Sequence, residues 1–142
     1  MSAENVELVR SALFARPLDL VAVFVDGQFT ELFEPNLFHS DLEVAFAQPS
    51  GPPTEYSGME GLIEGWRDWL TPWATYAVDV EDFLDAGDVV VAFAVLRGET
   101  ARDRVKIEQQ AAALATVVDG RIKRLEFHLD RREALAAAGL AG

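Results

Sequence analysis

The sequence predicts an α+β fold in which helices come first, a meander of long strands follows, and the helices cover one face of the sheet. Three observations carry this. Apolar residues in the first part of the chain recur at helical spacing, those from Tyr76 onward alternate with polar ones, and turn signals cut the second region into hairpins. Element by element, Val6, Val9 and Leu13 mark a first helix. Pro17 followed by Leu18, Val21, Ala22 and Val25 marks a second, with proline in its first turn, and Phe29, Leu32 and Phe33 extend the helical pattern to Pro35. Leu42, Val44 and Phe46 alternate with Glu43 and Ala45, the period of a strand. The Pro/Gly/Ser-rich stretch Gln48 to Gly58 reads as a loop. Behind it, Ser57 and Glu60 form a capping box, and Leu62, Ile63, Trp66, Trp69 and Leu70 form the apolar stripe of a helix ending at Pro72.

Four strands then run as consecutive antiparallel neighbours. Ala77 to Leu84 and Val89 to Arg97 flank the turn Asp85-Ala86-Gly87-Asp88, and Val105 to Val118 and Arg121 to Leu129 flank Asp119-Gly120, a two-residue hairpin signal. The chain closes on a helix with Asp130 as N-cap, Glu133 three residues on and Gly139 as its stop.

Composition bounds the function. The 142 residues, half of them hydrophobic and 25% charged, suit one globular domain spanning 1–142. Twelve Lys and Arg against 24 Asp and Glu leave a net charge of −12. Such a chain is repelled by nucleic acid and by anionic lipid, so neither is expected as a partner. The acids are unevenly placed: residues 1–96 hold 17 acids and 3 bases, residues 97–142 hold 7 acids and 9 bases. The absence of cysteine removes disulfides, thiolate metal sites and cysteine nucleophiles together. The longest apolar run, Val89 to Leu96, falls far short of the ~20 residues that span a bilayer. Met1 to Arg10 lacks the apolar core of a secretory signal, so a cytoplasmic protein is expected.

Strand parity assigns faces. In Val105 to Val118 the polar positions Lys106, Glu108, Gln110 and Thr116 share one parity, which turns Ile107, Gln109, Ala111, Ala113, Ala115 and Val117 to the core. Three small residues there leave room either for a closely approaching helix or for a cavity. In the next strand Leu125, Phe127 and Leu129 alternate with Arg124, Glu126 and His128, yet Ile122 shares the polar parity. A bulge between Ile122 and Leu125 resolves the conflict without burying charges, and places His128 outward. Without the bulge, His128 is the best general base in the chain.

The order of helices and strands, the Tyr56-Ser57-Gly58 lead into a Trp-rich helix, the Asp85 to Asp88 turn, and the ending from Asp119-Gly120-Arg121-Ile122 through Leu129-Asp130-Arg131 together resemble the SnoaL-like family of the nuclear-transport-factor-2-like superfamily. The resemblance implies a curved sheet wrapped around the N-terminal helices as a cone, an internal pocket at its open end, and homodimers formed through the sheet's outer face. Ketosteroid isomerases of similar fold use an aspartate base and a protonated acid as oxyanion donor, a pair that serves as a standard case of tuned acidity. Those positions fall at Phe46 or Gln48 and at Ala113. Epoxide hydrolases of similar fold use an Arg and two aspartates, near Ala94, Leu96 and Phe127, and the family's cyclases use an aspartate near Phe127. None of these positions can ionise.

The expected pocket is therefore neutral. Phe46, Trp66, Trp69, Ala113 and Phe127 are its candidate lining, with Gln48 and Gln109 as amide groups, Tyr56 near the rim, and Trp73 at the end of the helix closing the cone. This predicts binding of a small apolar molecule, planar or polycyclic and uncharged. The alternative is an isomerase, cyclase or hydratase acting on a polyketide-like or steroid-like carbonyl compound through His128, Glu126 or Asp41. No metal or cofactor is expected, because His39 and His128 are the chain's two histidines and no nucleotide-binding glycine motif occurs. The acid run Asp79, Glu81, Asp82, Asp85 and Asp88 reads as a solvated strand edge and turn.

Overall fold

A computed structural model describes residues 2–13, 18–25, 37–47 and 52–139. Helix α1 (Ser2–Leu13) carries Glu4 in its first turn and Arg10 in its last, the polarity that favours a helix dipole. It lies against the later strands with Val9 fully buried, and Asn5 Nδ2 donates to Gly87 O at 3.0 Å.

Among the described residues the second expected helix is reduced to a helical turn that starts later than expected. Leu18–Asp19 is a two-residue strand, β1, and a π-helical turn follows over Val21–Val25. The cause is tertiary: Asp19 Oδ1 accepts from Val21 N at 3.0 Å and from Tyr76 N at 3.2 Å, so its side chain ties the extended backbone to a distant strand. Long-range pairing overrides the weak local preference for helix. The helical pattern expected from Phe29 to Phe33 lies outside the described residues, as does Pro17.

Strand β2 (Phe38–Phe46) is as expected but longer, and it pairs with β3 (Thr54–Ser57). Part of the expected Gln48 to Gly58 loop is thus strand, because its Thr54, Glu55 and Tyr56 lie against the edge of β2. Helix α2 (Gly58–Leu70) follows, with Ser57 at its N-cap. The expected capping box is only positional, for Ser57 makes no side-chain cap hydrogen bond. The reason is local: Gly58 has φ +73°, so the first helical residue departs from helical geometry, and Ser57 itself is paired with Glu43 in the sheet.

The meander forms as read: β4 (Trp73–Ala86), β5 (Val89–Thr100), β6 (Lys106–Val118) and β7 (Arg121–His128) are antiparallel neighbours. Asp119 and Gly120 both have positive φ, the geometry of a hairpin turn that matches strand twist. Helix α3 (Arg131–Ala137) is capped by Asp130, whose side chain accepts from the Arg132 and Glu133 amides, and Gly139 at φ +79° ends it.

The curved sheet has the order β1-β4-β5-β6-β7-β2-β3 among the described residues, and only β2 and β7 run parallel. Its two faces are unequal. The main core takes Val44, Phe46, Ala94, Ala111, Ala115, Val117, Ile122 and Leu125 from the strands, with Leu62, Trp66 and Leu70 from α2. A second cluster on alternate positions, Val91, Ala112 and Leu114, is covered by Ala134 of α3. Part of the face through which the resemblance expects pairing is therefore occupied by the chain's own helix. No described helix is long and apolar enough to cross a membrane.

Candidate functional site

The bulge in β7 orders the site. Val117 pairs with Ile122 and Thr116 with Arg124, leaving Lys123 as the extra residue. Ile122 and Leu125 are accordingly both fully buried in the core. Arg124 and Glu126 instead join a charged row: Arg124 Nη1 donates to Glu43 Oε1 at 2.9 Å and to Glu55 Oε1 at 3.4 Å, and its Nε to Glu126 Oε2 at 3.3 Å. Removing Lys123 from the alternation is what lets one strand feed an apolar interior and a polar exterior.

Helix α2 sets the opposite wall. Gly61 and Gly65, one turn apart, face β3 so closely that a Cβ on Gly61 would meet Tyr56 Cβ at 2.9 Å and one on Gly65 would meet Phe46 Cε1 at 2.5 Å. This approach brings Trp66 and Trp69 onto the end of β2. Phe46 is the hub, its ring 5.0 Å from Phe127, 5.2 Å from Trp66 and 5.8 Å from both Tyr56 and Trp69.

Beside this cluster is a cavity of about 60 Å³, enough for several waters or one small ring. Phe46, Trp66, Trp69, Ala113 and Phe127, all expected there, line it. Gln109, Tyr56 and Trp73 do not. Gln109 is exposed on the part of β6 that extends past the core, and Tyr56 turns its hydroxyl away to donate to Asp68 Oδ2 at 3.2 Å. Trp73 opens β4 and packs its ring 4.9 Å from Tyr76 instead of ending the helix. Gln48 lies outside the described residues. Asp41 is exposed, its amide donating to His39 Nδ1 at 3.0 Å, so this carboxylate is not part of the cavity.

His128 keeps the outward parity, opposite Ala112 on the face that α3 covers, but it is buried there. It is 9% exposed and reaches the margin of the cavity lining. Neither ring nitrogen has a hydrogen-bond partner, and Glu126 Oε1 stands 3.5 Å from Nε2, at ion-pair range. The register runs unbroken from Leu125 to His128, so His128 shares the face of Glu126, and the turn toward α3 that follows it covers that face. His128 and then Arg124 hold the Glu126 carboxyl below the usual carboxylate range, against the opposing effect of burial.

The sequence reading also missed Tyr76, Phe24 and Leu20, which line the cavity. Tyr76 is 3% exposed, and burial pushes its hydroxyl up to about 12, so it stays neutral. Trp69 Nε1 donates to its oxygen at 3.0 Å. A polar atom on the core-facing parity of a strand was the available signal.

The comparisons with known proteins agree with this fold. The family model described as SnoaL-like domain matches residues 19–125. The chain belongs to the SnoaL-like family. No curated protein matches this SnoaL-like chain by sequence. Solved structures match it along nearly its whole length. An NTF2-like protein of unknown function from Burkholderia pseudomallei is 16% identical with a TM-score of 0.66, covering 94% of this chain and 95% of that one. TerC, co-crystallised with polyporic acid, is 18% identical with a TM-score of 0.65, covering 96% and 98%. A putative SnoaL-like polyketide cyclase from Jannaschia sp. CCS1 is 17% identical with a TM-score of 0.65, covering 99% and 94%. At these identities the likeness establishes the shared fold.

Proposed function

We propose that this SnoaL-like chain binds a small, uncharged, largely apolar molecule in the cavity between α2 and the sheet. The observation that carries the reading is the wall itself: aromatic rings on one side, Ala92, Ala94 and Ala111 to Ala113 on the other, and no Lys, Arg, Asp or Glu. Phe46, Ala113 and Phe127 stand where the resemblance puts the acids of related enzymes, and all three supply apolar surface. Burying apolar area drives binding at roughly 25 cal/mol per Å² before the cost of immobilising the ligand. The room present suits one ring, so a polycyclic ligand requires side chains of the wall to move.

A thermal-shift and tryptophan-fluorescence screen of neutral ring compounds tests this. Hits raise the melting temperature and quench Trp66 or Trp69, and Ala113→Leu, which fills the cavity, abolishes both effects while folding normally. A screen in which no compound moves either signal defeats the reading.

A second reading, an isomerase, cyclase or hydratase for a carbonyl compound, rests on His128, which is buried at the margin of the cavity with the Glu126 carboxylate 3.5 Å from its Nε2. A fold neighbour described as a putative polyketide cyclase is consistent with it. In this scheme His128 removes a proton next to the carbonyl and Glu126 stabilises the imidazolium. Exchange of that proton for deuterium in D2O, followed by NMR, is accelerated by the wild type and lost in His128→Gln; equal rates with and without protein remove this alternative.

A further inference from the structure

The cavity contains one hydroxyl whose hydrogen-bonding direction is already decided. An indole N–H only donates, so the 3.0 Å contact from Trp69 Nε1 makes the Tyr76 oxygen an acceptor. The hydroxyl keeps one proton of its own, and no acceptor among the described residues takes it. Tyr76 is thus a fixed donor toward the cavity, and accepting from Trp69 strengthens that donor through polarisation. His128, the other polar residue of the wall, is of a different kind, since a neutral imidazole presents one donor and one acceptor.

The wall also excludes. A carboxylate brought into it would lose its hydration and meet no Lys or Arg, a penalty that an ordinary hydrogen bond does not offset. The chain's net charge of −12 further disfavours the approach of anions. A pure hydrocarbon, conversely, leaves the Tyr76 proton buried without an acceptor.

We propose that Tyr76, held by Trp69, is the polar anchor of the cavity and selects neutral, ring-sized molecules whose oxygen accepts a hydrogen bond: ketones, esters or ethers. This rests on the reading of the cavity as a binding site and adds the ligand's chemical class.

Three probes and one variant test it by calorimetric or NMR titration of the intact protein. Acetophenone carries a neutral acceptor, α-methylstyrene has the same planar shape with C=CH2 in place of C=O, and benzoate adds a charge. Tyr76→Phe keeps the ring and deletes the hydroxyl. The expected result is that Tyr76→Phe weakens acetophenone about tenfold. Its affinity for α-methylstyrene does not fall and rises as the acceptorless proton is removed, which also reports an intact cavity. Benzoate binds neither protein. Equal changes for the two neutral probes, or unchanged acetophenone binding, overturn the anchor role while leaving the cavity reading intact. Benzoate binding as tightly as acetophenone overturns the neutral class. If neither neutral probe binds the wild type, both this proposal and the cavity reading fall.

Discussion

At the scale of single residues, the smallest side chains shape the site as much as the aromatic ones. Gly65 has no Cβ, and that absence lets α2 sit on Phe46 and Tyr56; a methyl there would lie 2.5 Å from Phe46 Cε1 and 3.0 Å from Tyr56 Cδ2. Gly65→Ala gains about 1 kcal/mol of helix propensity. It loses more to overpacking, which costs about 1–3 kcal/mol in well-packed interiors. The expected outcome is a net destabilisation on the order of 1 kcal/mol in denaturant melts, with Phe46 pressed toward the cavity and ligand affinity reduced. A variant as stable as the wild type, with unchanged ligand affinity, contradicts the close-approach account. Glu126 shows how residues can be tied across function and stability: His128 and Arg124 depress its folded-state acidity, so its contribution is present above the ordinary carboxylate range and is lost as pH falls below it.

At the scale of elements, legibility follows length and locality. The four meander strands were readable because each shows several cycles of period-2 alternation, and the turns at Gly87 and Gly120 carry the positive φ that their glycines announce. The bulge was readable because Ile122 breaks a parity that Leu125 and Phe127 keep, and a fully buried Ile122 is the consequence. Strands β1 and β3 were not, since two and four residues cannot display a period, and each exists by pairing with a distant partner. The candidate site divides in the same way. Parity placed Ala113 and Phe127 on the cavity wall. It erred at Gln109 because alternation gives the face of a strand and not the point at which the covering helix stops. Tyr76 escaped notice because its meaning depends on Trp69, which lies in another element and comes near only once α2 has docked.

At the scale of the whole molecule, the lopsided charge becomes a pattern of cross-connections. Acids of the first 96 residues meet bases of the last 46: Glu43 with Lys123 and Arg124, Glu55 with Arg124, Asp79 with Arg97, and Glu81 with Arg131. Exposed pairs contribute little individually, about 0–1 kcal/mol each, so the remaining surplus acts chiefly through long-range repulsion between molecules. Lowering the pH toward the isoelectric point near 4.4 removes that repulsion, and light scattering is expected to show a solubility minimum there that vanishes above pH 6. A solubility independent of pH across this interval contradicts that role for the acids.

The parallel pairing of β2 with β7 has a further consequence, for the order in which the protein is made. Phe46 and Phe127 sit opposite each other in that pairing, yet 80 residues separate them along the chain. During synthesis β2 and β3 emerge early, and one edge of β2 stays bare until the last strand, β7, leaves the ribosome. The cavity is thus closed by its final seam, and a chain truncated before Arg121 retains the apolar edge of β2 without the neighbour that covers it, a template for association with other unfinished chains.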